Sequence, residues 1–299
     1  MEKGLYTNIN ISEFSEHEDE VTCVAFSTDF HIFLTGSDDT NVRIFNAATK
    51  KLVTLLSGHT SWIKSVAVSP DSKYIASCSQ DSTAIIWRTR DASLLYTLEG
   101  HRKSVESVTF SSNSALLATT SFDRSAMIWK VQDGGLMKIL EGHEGAVKTS
   151  SFSYEDTWLA TACTDGVVRL WTLKKNRKEE DGSLKLLKGH TKTVSALAFS
   201  REGMLASGSW DNTVKLWNPR TGSLIRSIEG HQTWVETVGF SLDSLKLISA
   251  SKDSVVKVWD ILEDKCDETL ENDGVEIQFC GFTPKNTVVV AGSKVQKAN

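Results

Sequence analysis

The chain has 299 residues, of which 40% are hydrophobic and 24% charged, the composition of an ordinary globular protein. Its formal net charge of −5 is small and argues against a protein built mainly to neutralise nucleic-acid phosphates. No stretch approaches the ~20 apolar residues of a membrane-spanning helix. We therefore expect a soluble chain with neither a membrane nor nucleic acid as a direct partner.

The beginning of the chain and its cysteines bear on the cellular compartment. The first 14 residues carry no long apolar run, so the sequence predicts no secretory signal peptide. The five cysteines are scattered, and no two form a Cys-x-x-Cys pair, which supports neither a disulfide framework nor a zinc site. We expect an intracellular protein, cytoplasmic or nuclear, that is not secreted and holds no cofactor or metal.

From residue 17 onwards, three residue types recur in phase over six units. A histidine returns after 42, 42, 42, 47 and 41 residues, an aspartate follows each histidine, and an aromatic residue stands six positions after each aspartate. Internal periods of this length are typical of repeat architectures. The histidines are His17, His59, His101, His143, His190 and His231; the aspartates are Asp39, Asp81, Asp123, Asp165, Asp211 and Asp253; the aromatics are Phe45, Trp87, Trp129, Trp171, Trp217 and Trp259.

The apolar residues of each unit predict four short strands. The first strand has the pattern V-x-x-V-x-F, as in 105–110, and the second ends in Ser or Thr, as in 116–119. The third leads into the aromatic residue, as in 214–217, and the fourth has the form of 94–98. Turn formers such as Ser69-Pro-Asp-Ser72 separate the strands, and no helical period of useful length is present. Four strands in each unit are typical of a propeller blade.

The Gly58-His59 pair, the Ser209-Trp-Asp211 triplet and the Trp259-Asp260 pair resemble the repeats of the WD-repeat family, and the resemblance covers nearly the whole chain. It implies that each histidine lies on a loop between blades and each aspartate on the turn between the second and third strands. Of the six repeated aromatic residues, only Trp259 is followed by Asp, and this dipeptide varies in the family.

We therefore expect an all-β fold, a single seven-bladed propeller of four-stranded antiparallel blades over residues 1–299. The blades are predicted at 17–57, 58–99, 100–141, 142–188, 189–229, 230–271 and 272–299. The family closes its ring with an N-terminal strand in the last blade, and residues 5–15 are expected to supply it. The seventh unit departs from the repeat pattern. Asp273 occupies the position of its histidine, and Val295 occupies the position of its aspartate. The fourth unit carries five extra residues within 174–182, interpreted as a surface insertion or else a docking element.

Each unit also offers a His, an Asp and a Ser or Thr, the residue types of a serine hydrolase. Six such sets around a ring, without a Gly-x-Ser-x-Gly turn, favour a structural role, and no catalytic residue is predicted. A buried imidazole can satisfy its two nitrogens with the carboxylate and the hydroxyl, while the indole N–H joins the same network. One histidine in each blade also does not converge on a metal site. The hydroxyl residues are Thr35, Ser77, Thr119, Thr161, Ser207 and Ser249.

Two positions in each blade should point to the rim on the histidine side and to the mouth of the central channel. Several aromatic residues at these positions lie outside the repeated aromatic set, and exposed aromatic clusters are typical of binding interfaces. The acidic residues among them favour a partner that carries Lys or Arg. The alternative is that the aromatic side chains only pack over the loops. The predicted rim residues are Trp62, Phe122, Trp210, Trp234, Asp38, Glu106 and Glu236.

These patterns predict a non-catalytic scaffold that binds other proteins or peptides and is monomeric within a larger complex. Three alternatives remain. A substrate receptor of a ubiquitin ligase is one, although Trp87-Arg-Thr-Arg90 lacks the Asp of the Trp-Asp-x-Arg signature that some WD-repeat receptors carry. A histone-tail reader is the second, which the acidic rim permits. A hydrolase is the remote third.

Overall fold

The computed structural model describes residues 6–10, 16–173, 183–263, 265–272 and 274–294. Every regular element within these ranges is a β-strand. No helix in the described ranges has the length and apolar character needed to cross a membrane. The insertion at 174–182, Asp273, Val295 and residues 11–15 of the predicted N-terminal strand lie outside the described residues.

Six sheets of four antiparallel strands, here called blades 1 to 6, follow one another along the chain. Blade 1 contains β2 (Val21–Phe26), β3 (Ile32–Ser37), β4 (Val42–Asn46) and β5 (Leu52–Leu56). Blade 2 contains β6 (Ile63–Val68), β7 (Tyr74–Ser79), β8 (Ala84–Arg88) and β9 (Leu94–Leu98). Blade 3 contains β10 (Val105–Phe110), β11 (Leu116–Ser121), β12 (Ala126–Lys130) and β13 (Leu136–Leu140).

The second half of the chain repeats this arrangement. Blade 4 contains β14 (Val147–Phe152), β15 (Trp158–Cys163), β16 (Val168–Thr172) and β17 (Leu184–Leu187). Blade 5 contains β18 (Val194–Phe199), β19 (Leu205–Ser209), β20 (Val214–Asn218) and β21 (Ser223–Ile228). Blade 6 contains β22 (Val235–Phe240), β23 (Lys246–Ser251), β24 (Val255–Asp260) and β25 (Lys265–Glu271).

The prediction of seven four-stranded blades is wrong, because the all-β propeller has six. The remaining sheet has three strands in the order β1 (Tyr6–Asn10), β27 (Val288–Lys294) and β26 (Val275–Phe282), and is called the closing sheet below. The seventh unit lacks the turn aspartate and the aromatic third strand that build the second hairpin of the other units. Its two strands therefore form one hairpin instead of a complete blade.

The N-terminal strand joins the last sheet, but it does not take the position of a fourth strand there. In a complete blade the fourth strand runs antiparallel to the third, but β1 pairs directly with β27 and runs parallel to it, with Tyr6 opposite Val288 and Asn10 opposite Gly292. The edge of β27 that would pair with a third strand accepts β1 instead. The N-terminal strand thus joins the C-terminal strands in a pairing that the repeat pattern does not contain.

The hydrophobic core lies between the sheets. Leu34 and Ile44 of blade 1 pack with Ile63, Ile75 and Trp87 of blade 2, and the other neighbouring blades share clusters of the same kind. The closing sheet packs on blade 1 through one cluster and on blade 6 through another. Burial of apolar surface between neighbours is therefore what holds the sheets in a ring.

The innermost strand of every sheet carries a β-bulge at the same place. In blade 3, for example, Val105 pairs with Ser121 and Ser107 with Thr120, so that Glu106 between them is left out of the ladder. Bulges bend a strand and re-aim a side chain. The seven bulged residues all line a central cavity of about 590 Å³; they are Thr22, Lys64, Glu106, Lys148, Ser195, Glu236 and Gln278.

Candidate functional site

Blades 2, 3 and 5 contain the complete hydrogen-bonded network that the repeat suggests. In blade 2, His59 Nδ1 lies 2.9 Å from Asp81 Oδ2, and His59 Nε2 lies 2.9 Å from Ser77 Oγ. The Trp87 indole N–H donates to the same Ser77 oxygen over 2.9 Å. His101, Asp123, Thr119 and Trp129 repeat this geometry in blade 3, and His190, Asp211, Ser207 and Trp217 repeat it in blade 5.

The order of donors in this network follows from its chemistry. An indole N–H can only donate, so the serine or threonine oxygen accepts it and donates its own proton to the Nε2 of the histidine. The histidine is then the tautomer with a proton on Nδ1, which it donates to the aspartate. The Ser77, Thr119 and Ser207 side chains are fully buried, and the hydroxyl has no solvent-facing side from which a substrate could approach.

The glycine before the histidine belongs to the same packing. A Cβ atom at Gly58 would lie 2.9 Å from a ring carbon of Trp87, and one at Gly230 would lie 2.9 Å from the ring of Trp259. Real Cβ atoms do not approach carbon so closely, so a side chain here would push the indole off its hydrogen bond. The Gly-His pair thus leaves room for the tryptophan.

Blades 1 and 4 add an arginine to the network. In blade 4, Arg169 donates to His143 Nδ1 over 3.0 Å and to Asp165 over 2.8 Å, so that its guanidinium lies between the imidazole and the carboxylate. In blade 1, Arg43 donates to Asp39 over 2.6 Å and also contacts His17 Nδ1. The residue four positions after the aspartate varies between units, so the repeat pattern does not predict this arginine.

The remaining network positions differ between blades 1, 4 and 6. His17 Nε2 contacts Thr35 over 2.6 Å, but Phe45 has no N–H to donate. Trp171 donates to Thr161 in blade 4, and Trp259 donates to Ser249 in blade 6. In blade 6, Ser251 stands between His231 and Asp253 and contacts both. The direct contact between histidine and aspartate is therefore present in blades 1, 2, 3 and 5, and a third group mediates it in blades 4 and 6.

One group of side chains has the composition of a metal site. His143, Cys163 and Asp165 each offer a ligand atom, and these atoms lie within 4.8 Å of one another. The guanidinium of Arg169 already places a positive charge between His143 and Asp165. Burial raises the pKa of the Cys163 thiol to about 11, which disfavours the thiolate that a metal requires. The arrangement thus fits an arginine better than a metal ion.

Burial and hydrogen bonding lower the pKa values of several groups in the network. Burial lowers the pKa of His231 to about 4, and burial together with the charge of Arg169 lowers that of His143 to about 3. Burial alone would raise the pKa of Asp123, but hydrogen bonds from Ser125, the Arg102 N–H and His101 lower it to about 2. At neutral pH the folded protein therefore holds neutral imidazoles at His231 and His143 and a charged carboxylate at Asp123.

The predicted rim aromatics are exposed to different degrees. Trp62 is 46% exposed, Phe122 44% and Trp234 38%, whereas Trp210 is partly buried. Trp210 and Trp234, from neighbouring blades, stack with ring centroids 4.4 Å apart and ring planes 13° apart. Trp62 and Phe122 belong to blades 2 and 3. Trp158, which is not one of the predicted rim residues, is buried between blades 4 and 5.

A lysine of the protein itself lies over each exposed rim aromatic. Lys64 Nζ is 4.9 Å from the Trp62 ring centroid, Lys148 Nζ is 4.5 Å from that of Phe122, and Lys252 Nζ is 5.3 Å from that of Trp234. These distances are those of cation–π contacts. The contact of the three lysines with the rings depends on the bulges and turns of the folded chain.

The three acidic rim residues are also influenced by other groups of the protein itself. Lys148 forms an ion pair of 2.8 Å with Glu106, which also accepts a hydrogen bond from Ser104. Burial raises the pKa of Glu236 and that of Asp38. Glu236 lines the central cavity near Lys252 and Glu276. Of the three carboxylates, Glu106 is thus already neutralised, whereas Glu236 lies where its charge is disfavoured.

Comparison with known proteins identifies six repeats of one family in this chain. Residues 8–46, 50–88, 92–130, 134–172, 182–218 and 222–260 match the family described as "WD domain, G-beta repeat". The nuclear distribution protein nudF of Aspergillus niger is 30% identical over 118 residues, 38% of this chain and 27% of that protein. The small ribosomal subunit protein RACK1y of Oryza sativa subsp. japonica is 34% identical over 109 residues, 36% of this chain and 32% of that protein.

A third relative is similar over a comparable length. Eukaryotic translation initiation factor 3 subunit I of Caenorhabditis briggsae is 34% identical over 104 residues, which are 34% of this chain and 32% of that protein. The chain thus aligns with less than a third of the length of each of these relatives, a stretch of between two and three repeat units.

The Asp123→Ala variant tests the structural role of the network. It removes the carboxylate that accepts hydrogen bonds from His101, Ser125 and the Arg102 N–H. Because buried polar partners lose their acceptor, we expect a loss of about 1–3 kcal/mol in the free energy of unfolding and a lower melting temperature. Calorimetry measures the change in melting temperature, and Glu99→Ala serves as a control at an exposed position outside the network. An unchanged melting temperature in Asp123→Ala contradicts the structural role.

The depressed histidine pKa values predict a loss of stability in mild acid. Below pH 6.5 the unfolded chain takes up a proton at His231, while the folded chain does not do so until about pH 4. The free energy of unfolding should therefore fall by about 1.4 kcal/mol per pH unit for this residue across that window. We expect the difference in urea stability between pH 7 and pH 5 to be smaller in His231→Gln. His31→Gln, in an exposed loop, should retain the wild-type difference.

Proposed function

The chain belongs to the WD-repeat family, and from this premise we propose that it is a non-catalytic scaffold that binds other proteins. The proposed binding surface is the histidine-side rim with the mouth of the central channel. The observation that carries the proposal is the stacked Trp210–Trp234 pair, in which Trp234 remains 38% exposed. Large aromatic side chains that stay exposed on a rigid surface are typical anchors of protein interfaces.

The electrostatics of the rim suggest what the partner carries. Glu236 is mostly buried, and its charged form is disfavoured. A lysine or arginine of the partner entering the channel mouth would compensate this charge without competing with Lys148, which is paired with Glu106. We therefore propose a peptide or domain with a basic side chain for Glu236 and an apolar one for Trp234.

Support for a role in assembly comes from the names of the relatives. One is named as a protein of the small ribosomal subunit and another as a subunit of an initiation factor, which describe components of larger assemblies. We propose the same kind of role here, with the chain as an intracellular monomer within a complex. Five free cysteines agree with a reducing compartment.

Trp210→Ala/Trp234→Ala tests the binding surface. Affinity purification with this variant should recover the partners of the wild type at greatly reduced yield, because the anchor surface is lost. Tyr154→Ala is the matched control, since Tyr154 is a 54% exposed aromatic that does not belong to the predicted rim set. Recovery of the same partners at the same yield by the double variant would refute the rim proposal, provided that its melting temperature shows a folded protein.

A fluorophosphonate probe tests the absence of hydrolase activity. Ser77, Ser207 and Ser249 are fully buried, and each receives an indole N–H, so none can act as an exposed nucleophile. We expect mass spectrometry of the treated native protein to find none of these serines labelled. Stoichiometric labelling of a single one would restore the enzymatic alternative.

A further inference from the structure

Blade 3 carries an unusual set of charges on the rim. Arg102 and Lys103 follow its histidine, and Arg124 follows its aspartate. No other complete unit has three cations at these three positions. The corresponding residues are Glu18, Asp19 and Thr40 in blade 1, Thr60, Ser61 and Ser82 in blade 2, Glu144, Gly145 and Gly166 in blade 4, Thr191, Lys192 and Asn212 in blade 5, and Gln232, Thr233 and Ser254 in blade 6.

The two turns that carry these cations are bonded to each other. The Arg102 N–H donates to Asp123 Oδ2 over 2.9 Å, and the Phe122 N–H donates to the Ser104 carbonyl over 3.0 Å. Ser121 Oγ donates to the Lys103 carbonyl over 3.1 Å. The buried network of blade 3 thus holds both turns, so the three cations project from a rigid base.

All three cationic side chains are available to a partner. Arg102, Lys103 and Arg124 are exposed, and within the part of the chain that the structure describes none of them has a carboxylate partner. Phe122 lies on the same turn as Arg124 and is 44% exposed. The nearby Glu106 is already occupied by Lys148 and Ser104. The surface therefore combines free positive charge with an apolar ring.

The backbone turn that carries Arg124 is common to all complete units. Its φ is 70°, in the left-handed region, and the corresponding residues of the other blades have φ values of 68° to 76°. The turn therefore presents the residue at this position in the same way in every blade. Of the six residues at this position, Arg124 is the only charged one. The exposed charge, and not the backbone, is what distinguishes blade 3.

We propose that Arg102, Lys103 and Arg124, with Phe122, form a site for an acidic segment of the partner protein, here called the blade-3 patch. The segment supplies clustered Asp and Glu carboxylates to the cations and an apolar side chain to Phe122. This inference rests on the proposed scaffold function and deepens it, since it names the chemistry of one part of the partner.

The backbone and the overall charge favour carboxylates over phosphates. Phosphate sites typically use free backbone N–H groups, but the N–H groups of Arg102, Phe122 and Arg124 are all engaged within the two turns. The protein has a net charge of −5, and blade 1 presents exposed Glu18 and Asp19 at the positions of Arg102 and Lys103. Such a rim repels a long polyanion such as a nucleic-acid strand, but it suits a short acidic segment of a partner that also carries positive charge.

The polarity of the rim also orients that partner. Glu16, Glu18, Asp19 and Glu20 are exposed around blade 1, and the three free cations lie on blade 3. A partner with an acidic segment over blade 3 then turns its basic residues toward blade 1 and Glu236. The opposite orientation places like charges together, which excludes it.

The repeat itself supplies a variant that tests the blade-3 patch. Arg102→Thr/Lys103→Ser/Arg124→Asn replaces the three cations with residues that blades 2 and 5 carry at the same positions. Lys50→Gln/Lys51→Gln/Lys130→Asn removes three exposed cations elsewhere and matches the change in net charge. The probe is a fluorescein-labelled peptide of six glutamates interrupted by one leucine, and its binding to the full chain is followed by fluorescence anisotropy at low ionic strength. Inorganic phosphate and an oligothymidine strand are titrated in parallel.

We expect the patch variant to bind the peptide about tenfold more weakly than the wild type, the loss expected when several exposed ion pairs vanish together. The control variant should remain within about twofold, and added salt should weaken wild-type binding. The melting temperature of the patch variant should equal or exceed that of the wild type, because asparagine adopts the left-handed backbone conformation of position 124 more readily than arginine does. Equal losses in both variants, or no wild-type binding, would overturn the proposal.

The remaining outcomes separate this inference from the scaffold function. Tighter patch-dependent binding of phosphate or of oligothymidine would reassign the patch and overturn the acidic-segment proposal. Trp210→Ala/Trp234→Ala should bind the peptide as the wild type does, since these rings lie on other blades. If that variant loses its partners in affinity purification while the patch variant binds the peptide normally, the scaffold function stands and the blade-3 patch fails.

Discussion

The buried hydroxyl at the end of the second strand is the group on which the order of each blade depends. Ser77 illustrates its role, because its oxygen accepts the Trp87 indole N–H and its proton goes to His59. Without these partners, the fully buried hydroxyl would lower the free energy of unfolding by about 1–3 kcal/mol. One oxygen atom thereby links the second strand, the loop between blades and the third strand. The turn that carries the aspartate is held in the same way, and this turn presents the rim.

Variation of the network shows which of its members are exchangeable. Arg169 mediates between His143 and Asp165, and Ser251 mediates between His231 and Asp253, yet the contact of each histidine with its hydroxyl partner persists. The end buried between sheets therefore keeps one geometry, while the solvent-side end accepts different groups. A network that tolerates such exchange at one end is a support for the loops and does not have the single geometry that catalysis requires.

The rim combines this rigid support with charges that are partly compensated within the protein. Lysines cover the faces of Trp62, Phe122 and Trp234, and Lys148 also neutralises Glu106. Uncharged bulged residues take another role, since Thr22 donates to the Ile63 carbonyl of the next blade and Gln278 donates to the Val21 carbonyl from the closing sheet. These uncharged residues thus join neighbouring sheets, whereas the bulged lysines Lys64 and Lys148 cover rim rings.

The amino-acid sequence alone determined the four-strand pattern of the complete units and the phase of the network, because side chains at a fixed spacing within a repeat fall on the same part of every blade. Adjacent units also bring equivalent turns together, which places Trp210 beside Trp234. Only the tertiary structure decided the parallel pairing of Tyr6–Asn10 with Val288–Lys294, because that pairing joins segments distant in the chain and follows no repeated motif. The same is true of the lysines over the aromatic rings and of Arg169 between His143 and Asp165, since these contacts depend on how bulges and turns aim individual side chains once neighbouring sheets have packed.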